Sequence, residues 1–119
     1  MTTILINATH GPDEPERATL PFVVGNVAAT ADQQAIVLLT IDGAWLGVAG
    51  RTDGVAADGL PVLCDVMAQF VQAGGRIWAC GACTKPRGIT ADVLVPGATI
   101  VTAAQVVEIL ASGAASLTF

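Results

Sequence analysis

Charge is scarce in this chain. Aspartate, glutamate, lysine and arginine make up 13% of its 119 residues, about half the share usual for a globular domain, while apolar residues reach 53%. So little polar surface predicts a homo-oligomer that hides one apolar face rather than a well-solvated monomer. Basic residues are scarcer still, five against ten acids, for a formal net charge of −5 with no basic run anywhere. That balance repels phosphate backbones and anionic lipid, which argues against direct nucleic-acid binding and against a membrane surface as partner. No stretch approaches the ~20 apolar residues of a membrane span. The opening MTTILINATHGPDE has neither the basic region nor the apolar length of a secretory leader, so a cytoplasmic location is expected. Repeats, low-complexity tracts and linkers are missing too, and residues 1–119 are expected to form a single domain.

What is present is an alternation of apolar runs and amphipathic stretches. Residues 3–7 (TILIN) form a short β-branched run, expected to be a strand, followed by turn formers and Asp13-x-x-Glu16, a possible capping box. The next stretch places Leu20, Val23, Val24 and Val27 on one helical face, with Pro21 either kinking the helix or lying near its first turn. Residues 35–41 (AIVLLTI) are apolar without alternation, as in a strand covered on both faces. Residues 42–59 read as a long glycine-bearing loop with a short helix around Trp45. A helix is expected from Leu60, with Leu63, Met67, Phe70 and Val71 at helical spacing, Pro61 in its first turn and Gly74-Gly75 ending it. RIWAC (76–80) and ATIVT (98–102) are further strands. Thr102-x-x-Gln105 is a second capping box ahead of Val106, Val107, Ile109 and Leu110; Gly113 stops that helix, and ASLTF (115–119) supplies a fifth strand. This order predicts right-handed crossovers and a three-layer α/β/α, doubly wound, mainly parallel sheet of about five strands.

Ligands of an open parallel sheet gather beyond the carboxyl ends of its strands, where the loops NATHGPD, DGAW and CGACTKPRG fall. The last holds two of the three cysteines. If a helical turn begins at Cys80-Gly81-Ala82-Cys83, Cys80 meets free amides and the positive end of a dipole. With Lys85 and Arg87 nearby, such surroundings lower a cysteine pKa from about 8.5 into the range of roughly 3.5–7.5 and create a working nucleophile. Cys80 and Cys83 are therefore the candidate reactive pair, with His10, Lys85 and Arg87 as the candidate binding groups. A zinc site would need four ligands from Cys64, Cys80, Cys83 and His10, which lie scattered without a second C-x-x-C, so no metal is expected. A thioredoxin-like pair has the right spacing, yet Trp78 stands two residues before Cys80 rather than one. Simple packing of two thiols remains a third option, although Gly81, Pro86 and Gly88 describe a loop. Cys64 falls on or near the buried stripe of its helix and is expected to pack. Trp45 and Trp78 are expected as core or interface anchors, Asn7 and Asp42 as turn or cap residues, and Arg51 and Asp53 as solvated.

WACGACTKPRGI, following LPFVVGNVAATADQQAIVLLTIDGAWL and preceding GATIVTAAQVVEIL, resembles the DsrE/DsrF-like (YchN-like) group of small sulfur-relay proteins, whose relatives include the TusD subunit of the tRNA-thiolation relay. The similarity spans nearly the whole chain. It rests chiefly on strand, cysteine, two small residues, a short helical turn, then Arg87-Gly88. The resemblance implies the fold given above, a homotrimer or homohexamer, and partner proteins that donate and accept sulfur; thiol exchange of this kind is expected to need no cofactor. It also implies that Cys80 takes up sulfane sulfur as a persulfide and passes it on, a sulfurtransferase-type reaction. Cys83 departs from the simplest relay pattern, because it could attack a Cys80 persulfide, release sulfide and leave a disulfide. Two alternatives therefore stand beside the relay: a thiol–disulfide or peroxiredoxin-like redox protein using both cysteines, and a non-catalytic oligomeric binding module.

Overall fold

The computed structural model describes residues 2–119. Five strands, β1 (Thr3–Ala8), β2 (Gln34–Leu39), β3 (Arg76–Cys80), β4 (Ala98–Val101) and β5 (Ala115–Thr118), form one parallel sheet in the order β4-β3-β2-β1-β5. β2 is buried along almost its whole length, Ala35 to Leu39, which is why its sequence shows no alternation. Leu39 ends it. Ile41, assigned to this strand from its apolarity, turns to a positive φ of 55° and opens a 3-10 helix, Ile41–Gly47, around Trp45.

Helices α1 (Pro15–Thr30) and α2 (Leu63–Gln72) lie side by side on one face, where Phe22 and Phe70 meet edge to face with ring centroids 5.9 Å apart. The capping box expected at Asp13 does not form: Glu14 is the N-cap residue, without a side-chain cap bond, and Pro15 occupies the first turn. Pro21 sits inside the helix and is buried. Its buried stripe is Ala18, Thr19, Pro21, Phe22, Gly25 and Ala28, while Val27 is 64% exposed. Small residues let the helix lie close to the sheet, so backbone proximity chose the inward face over side-chain apolarity. α2 starts three residues later than Leu60, with Val62 as N-cap residue and Pro61 outside. Cys64, expected to pack, is exposed, because one residue past buried Leu63 the helix has rotated about 100° away from the core.

The other face carries α4 (Ala103–Ala111) alone, preceded by the expected capping box of Thr102 and Gln105. Its Val106 and Ile109 pack with Trp78 against Leu5, Ile36, Leu38 and Val101. Val107 and Leu110 point outward, 64% and 40% exposed, and no residue of α4 is fully buried. Trp45 is half-buried beneath Arg51, whose guanidinium carbon lies 4.3 Å from the ring centre. Arg51 is thus stacked on an aromatic ring where plain solvation was expected. No helix among the described residues is long and apolar enough to cross a membrane.

Candidate functional site

The strand order fixes where a crevice can open. β1, β2, β3 and β4 follow one another across the sheet, so right-handed crossovers put the connections between them on the α1/α2 face. β4 must then cross to β5 at the far edge, and it does so through α4 on the opposite face. The chain therefore leaves β3 and β4 in opposite directions, which is the topological switch point of the sheet. Cys80, the last residue of β3, pairs with Val101, the last residue of β4, at that point. The sulfur-bearing loop springs from that switch point.

After Cys80 the chain turns at once into α3 (Gly81–Thr84) and a 3-10 turn, Lys85–Arg87. Gly81 permits this turn: a Cβ there would stand 3.1 Å from the Val101 carbonyl oxygen. Thr84 is buried and donates to the Gly81 carbonyl at 3.2 Å, and Gly88, at φ 68°, closes the segment with a left-handed cap. Cys80 and Cys83 are free thiols, both half-buried. They lie one helical turn apart, near enough that Cys80 helps to hold Cys83 in its protonated form.

The amide donor lies elsewhere than expected. Cys80 is itself the N-cap residue of α3 and its side chain makes no cap bond. The Cys83 sulfur instead accepts a hydrogen bond of 3.1 Å from the backbone N–H of Ile41, in the turn that follows β2. A β-branched residue at positive φ is strained by about 1–3 kcal/mol, and Ile41, at φ 55°, is the residue whose amide meets the sulfur. Arg87 also works differently: Nη1 donates to the Cys83 carbonyl at 3.1 Å and Nη2 to Asp42 Oδ1 at 2.9 Å. Asp42, expected as a mere turn residue, thereby clasps the β2 turn to the cysteine turn. Burial pushes the Cys83 thiol above the ordinary cysteine range; the Ile41 amide opposes this, the neighbouring Cys80 adds to it, and Arg87 opposes it weakly.

Lys85 is exposed and makes no ion pair among the described residues. His10 follows β1, two strand positions and so about 10 Å from β3, with Nδ1 in a 3.0 Å hydrogen bond with the Thr9 hydroxyl. Its loop nevertheless abuts the clasp, since a Cβ on Gly11 would lie 3.0 Å from the Asp42 carbonyl oxygen. Among the described residues no three His, Cys, Asp or Glu side chains are placed to share a metal ion. Ile41 and Asp42 carry the geometry that sequence reasoning missed. An Asp-Gly pair beside a strand end signals a turn, but nothing in an isoleucine advertises a left-handed backbone.

The DsrE/DsrF-like family model matches residues 3–119. Among curated proteins, the chain is 26% identical over 102 residues to the uncharacterized protein MK0008 of Methanopyrus kandleri, covering 86% of this chain and 78% of that one. It is 30% identical over 93 residues to the uncharacterized protein MJ0760 of Methanocaldococcus jannaschii, covering 78% of this chain and 34% of that longer protein. Among solved structures, the YchN protein of E. coli superposes with a TM-score of 0.73 at 20% identity, and MTH1491 of Methanobacterium thermoautotrophicum with 0.70 at 17%; both matches cover 100% of each chain. These two share the fold.

Proposed function

The chain belongs to the DsrE/DsrF-like family, and on that premise we propose that it is a sulfur-relay protein whose carrier is Cys80. The Cys80 thiolate attacks the outer sulfur of a donor persulfide, the donor sulfur–sulfur bond breaks, and its electron pair leaves with the donor thiolate. Cys80 then bears the persulfide. An acceptor thiolate attacks that same outer sulfur and expels Cys80 as thiolate, so sulfur moves without net oxidation. The observation that carries this reading is a half-buried Cys80 at the β3/β4 switch point, one helical turn from a second thiol that burial holds protonated. A neutral neighbour can donate a hydrogen bond to the thiolate or persulfide without competing for the incoming sulfur. Arg87 stiffens the loop, and Lys85 and His10 are available at the rim for the partner proteins.

Exposed Val107 and Leu110 on α4, with Ile41 at 54% exposure beside the thiols, support assembly into a homo-oligomer. The test of the relay is direct. Reduced protein treated with polysulfide should gain a sulfur adduct in intact mass, and Cys80→Ser should lose it. No adduct on the wild type, or an undiminished one in the variant, would refute the assignment.

The proximity of Cys80 to Cys83, one helical turn apart and close enough for one to raise the pKa of the other, favours a second reading, a thiol–disulfide redox protein. Cys83→Ser separates the two: a carrier keeps its adduct at least as long, whereas a redox pair loses its disulfide and its turnover.

A further inference from the structure

We propose that Asp42 is a positioning residue for the sulfur site: through Arg87, its carboxylate holds the Ile41 amide on the Cys83 sulfur. The inference deepens the relay reading, on which its biological consequence rests. Three contacts close one ring of interactions. Ile41 N–H donates to Cys83 Sγ at 3.1 Å, Arg87 Nη1 donates to the carbonyl of the same cysteine at 3.1 Å, and Arg87 Nη2 reaches Asp42 Oδ1 at 2.9 Å. Asp42 follows Ile41 directly, so the ion pair pulls on the strained residue that supplies the amide.

The ring spans Ile41, whose φ is 55°. Because φ turns the chain that follows the Ile41 amide, relaxing it would swing Asp42 away from Arg87 and release the tie between this turn and the cysteine turn. The Asp42 side chain is 62% exposed and needs no partner for its own solvation, whereas that of Arg87 is 24% exposed and already fixed on the Cys83 carbonyl. Asp42 thus orients the β2 turn against a prepared Arg87. On the other side the turn is braced by Gly43, whose Cα packs so tightly on the Ala8 carbonyl that a Cβ would fall 2.0 Å from the oxygen.

The ionisable groups facing Cys83 are Cys80 from β3, Arg87 from the 3-10 turn and, through Arg87, Asp42. Lys85 is exposed on the same loop and His10 lies two strands away. Two accounts of Asp42 then predict opposite signs. If its negative charge acted on Cys83 through space, removing it would ease ionisation of the thiol and speed alkylation. If it positions the amide, removing it deprives the thiolate of a hydrogen bond and slows alkylation.

The experiment uses the full chain with Cys64→Ser, so that only the site thiols react, and follows iodoacetamide labelling of the Cys83 peptide by mass spectrometry from pH about 6 to 10. Asp42→Ala should shift the labelling profile to higher pH, with a rate about tenfold lower at pH 8, the effect of about one pKa unit. Asp42→Asn, which keeps an acceptor for Arg87 but no charge, should stay within about twofold of the parent. Faster labelling in either variant, or a lower melting temperature with an unmoved profile, would overturn the proposal. Alkylation needs no sulfane sulfur, so a missing polysulfide adduct on Cys80 would sink the relay reading while leaving this titration readable.

Discussion

Burial of Cys83 sets how long a persulfide on Cys80 should survive. Resolution requires the Cys83 thiolate to attack Cys80 Sγ; the Cys80–Cys83 bond forms, the bond to the outer sulfur breaks, and the electron pair leaves as hydrosulfide. A thiol of ordinary pKa, about 8.5, is only about 3% ionised at pH 7, and Cys83 is held above that range, chiefly by burial. Loading Cys80 with sulfur alters the two contributions that come from Cys80, but it leaves the larger one, burial, in place. Below the Cys83 pKa the thiolate fraction rises about tenfold per pH unit, so the adduct lifetime should fall about tenfold between pH 7 and pH 8 and level off only above the ordinary cysteine range. The assay loads the protein with polysulfide, removes the excess, and follows loss of the adduct and appearance of the disulfide by intact mass across that range. Cys83→Ser should abolish both the disulfide and the steep pH dependence. A lifetime equally short at pH 7 and pH 9, or an unchanged slope in Cys83→Ser, would refute a resolving role gated by ionisation of this thiol.

Two further outcomes follow from packing. Gly43→Ala places a methyl group 2.0 Å from the Ala8 carbonyl oxygen and should cost at least about 2 kcal/mol in urea unfolding, within the usual cost of overpacking; a change under about 0.5 kcal/mol would mean that the β2 turn is not pinned on β1. Val107→Asp with Leu110→Asp charges the outer face of α4 without touching Val106 or Ile109, and should reduce the native mass of the assembly; an unchanged mass would show that subunits meet elsewhere.

The architecture was readable from the chain because its signals are local. The uninterrupted apolar run of β2, the short β1 and β3, the glycines after α2 and the Thr102–Gln105 box each declare themselves within a few residues. Errors arose where packing overruled the local signal. Pro15 took the first turn of α1 from the Asp13–Glu16 pair, and contact with the sheet selected Ala18, Gly25 and Ala28 for the inner face over Val27. The cysteine loop was placed correctly at a strand end, but the amide expected at Cys80 was delivered to Cys83 from Ile41, 42 positions away. A long-range contact through a left-handed isoleucine leaves no trace in spacing.

Strand alternation makes the position of the reactive sulfur sharp to a single residue. Ala79 lies on the same face as Ile77 and is fully buried, whereas Cys80 shares the face of Trp78 and is half-buried at the sheet's rim. Exchanging the two, Ala79→Cys with Cys80→Ala, keeps the composition and moves the thiol about 3.3 Å along the strand, but turns it into the core beneath the α1/α2 layer. The added sulfur in a filled site should cost about 1–3 kcal/mol, and the remaining native fold should take up no polysulfide at residue 79. Labelling at that residue should appear only when urea unfolds the chain. Uptake by the native double variant at the wild-type rate would mean that exposure at the strand end does not select Cys80, and the placement of the site at the β3/β4 switch point would fall with it.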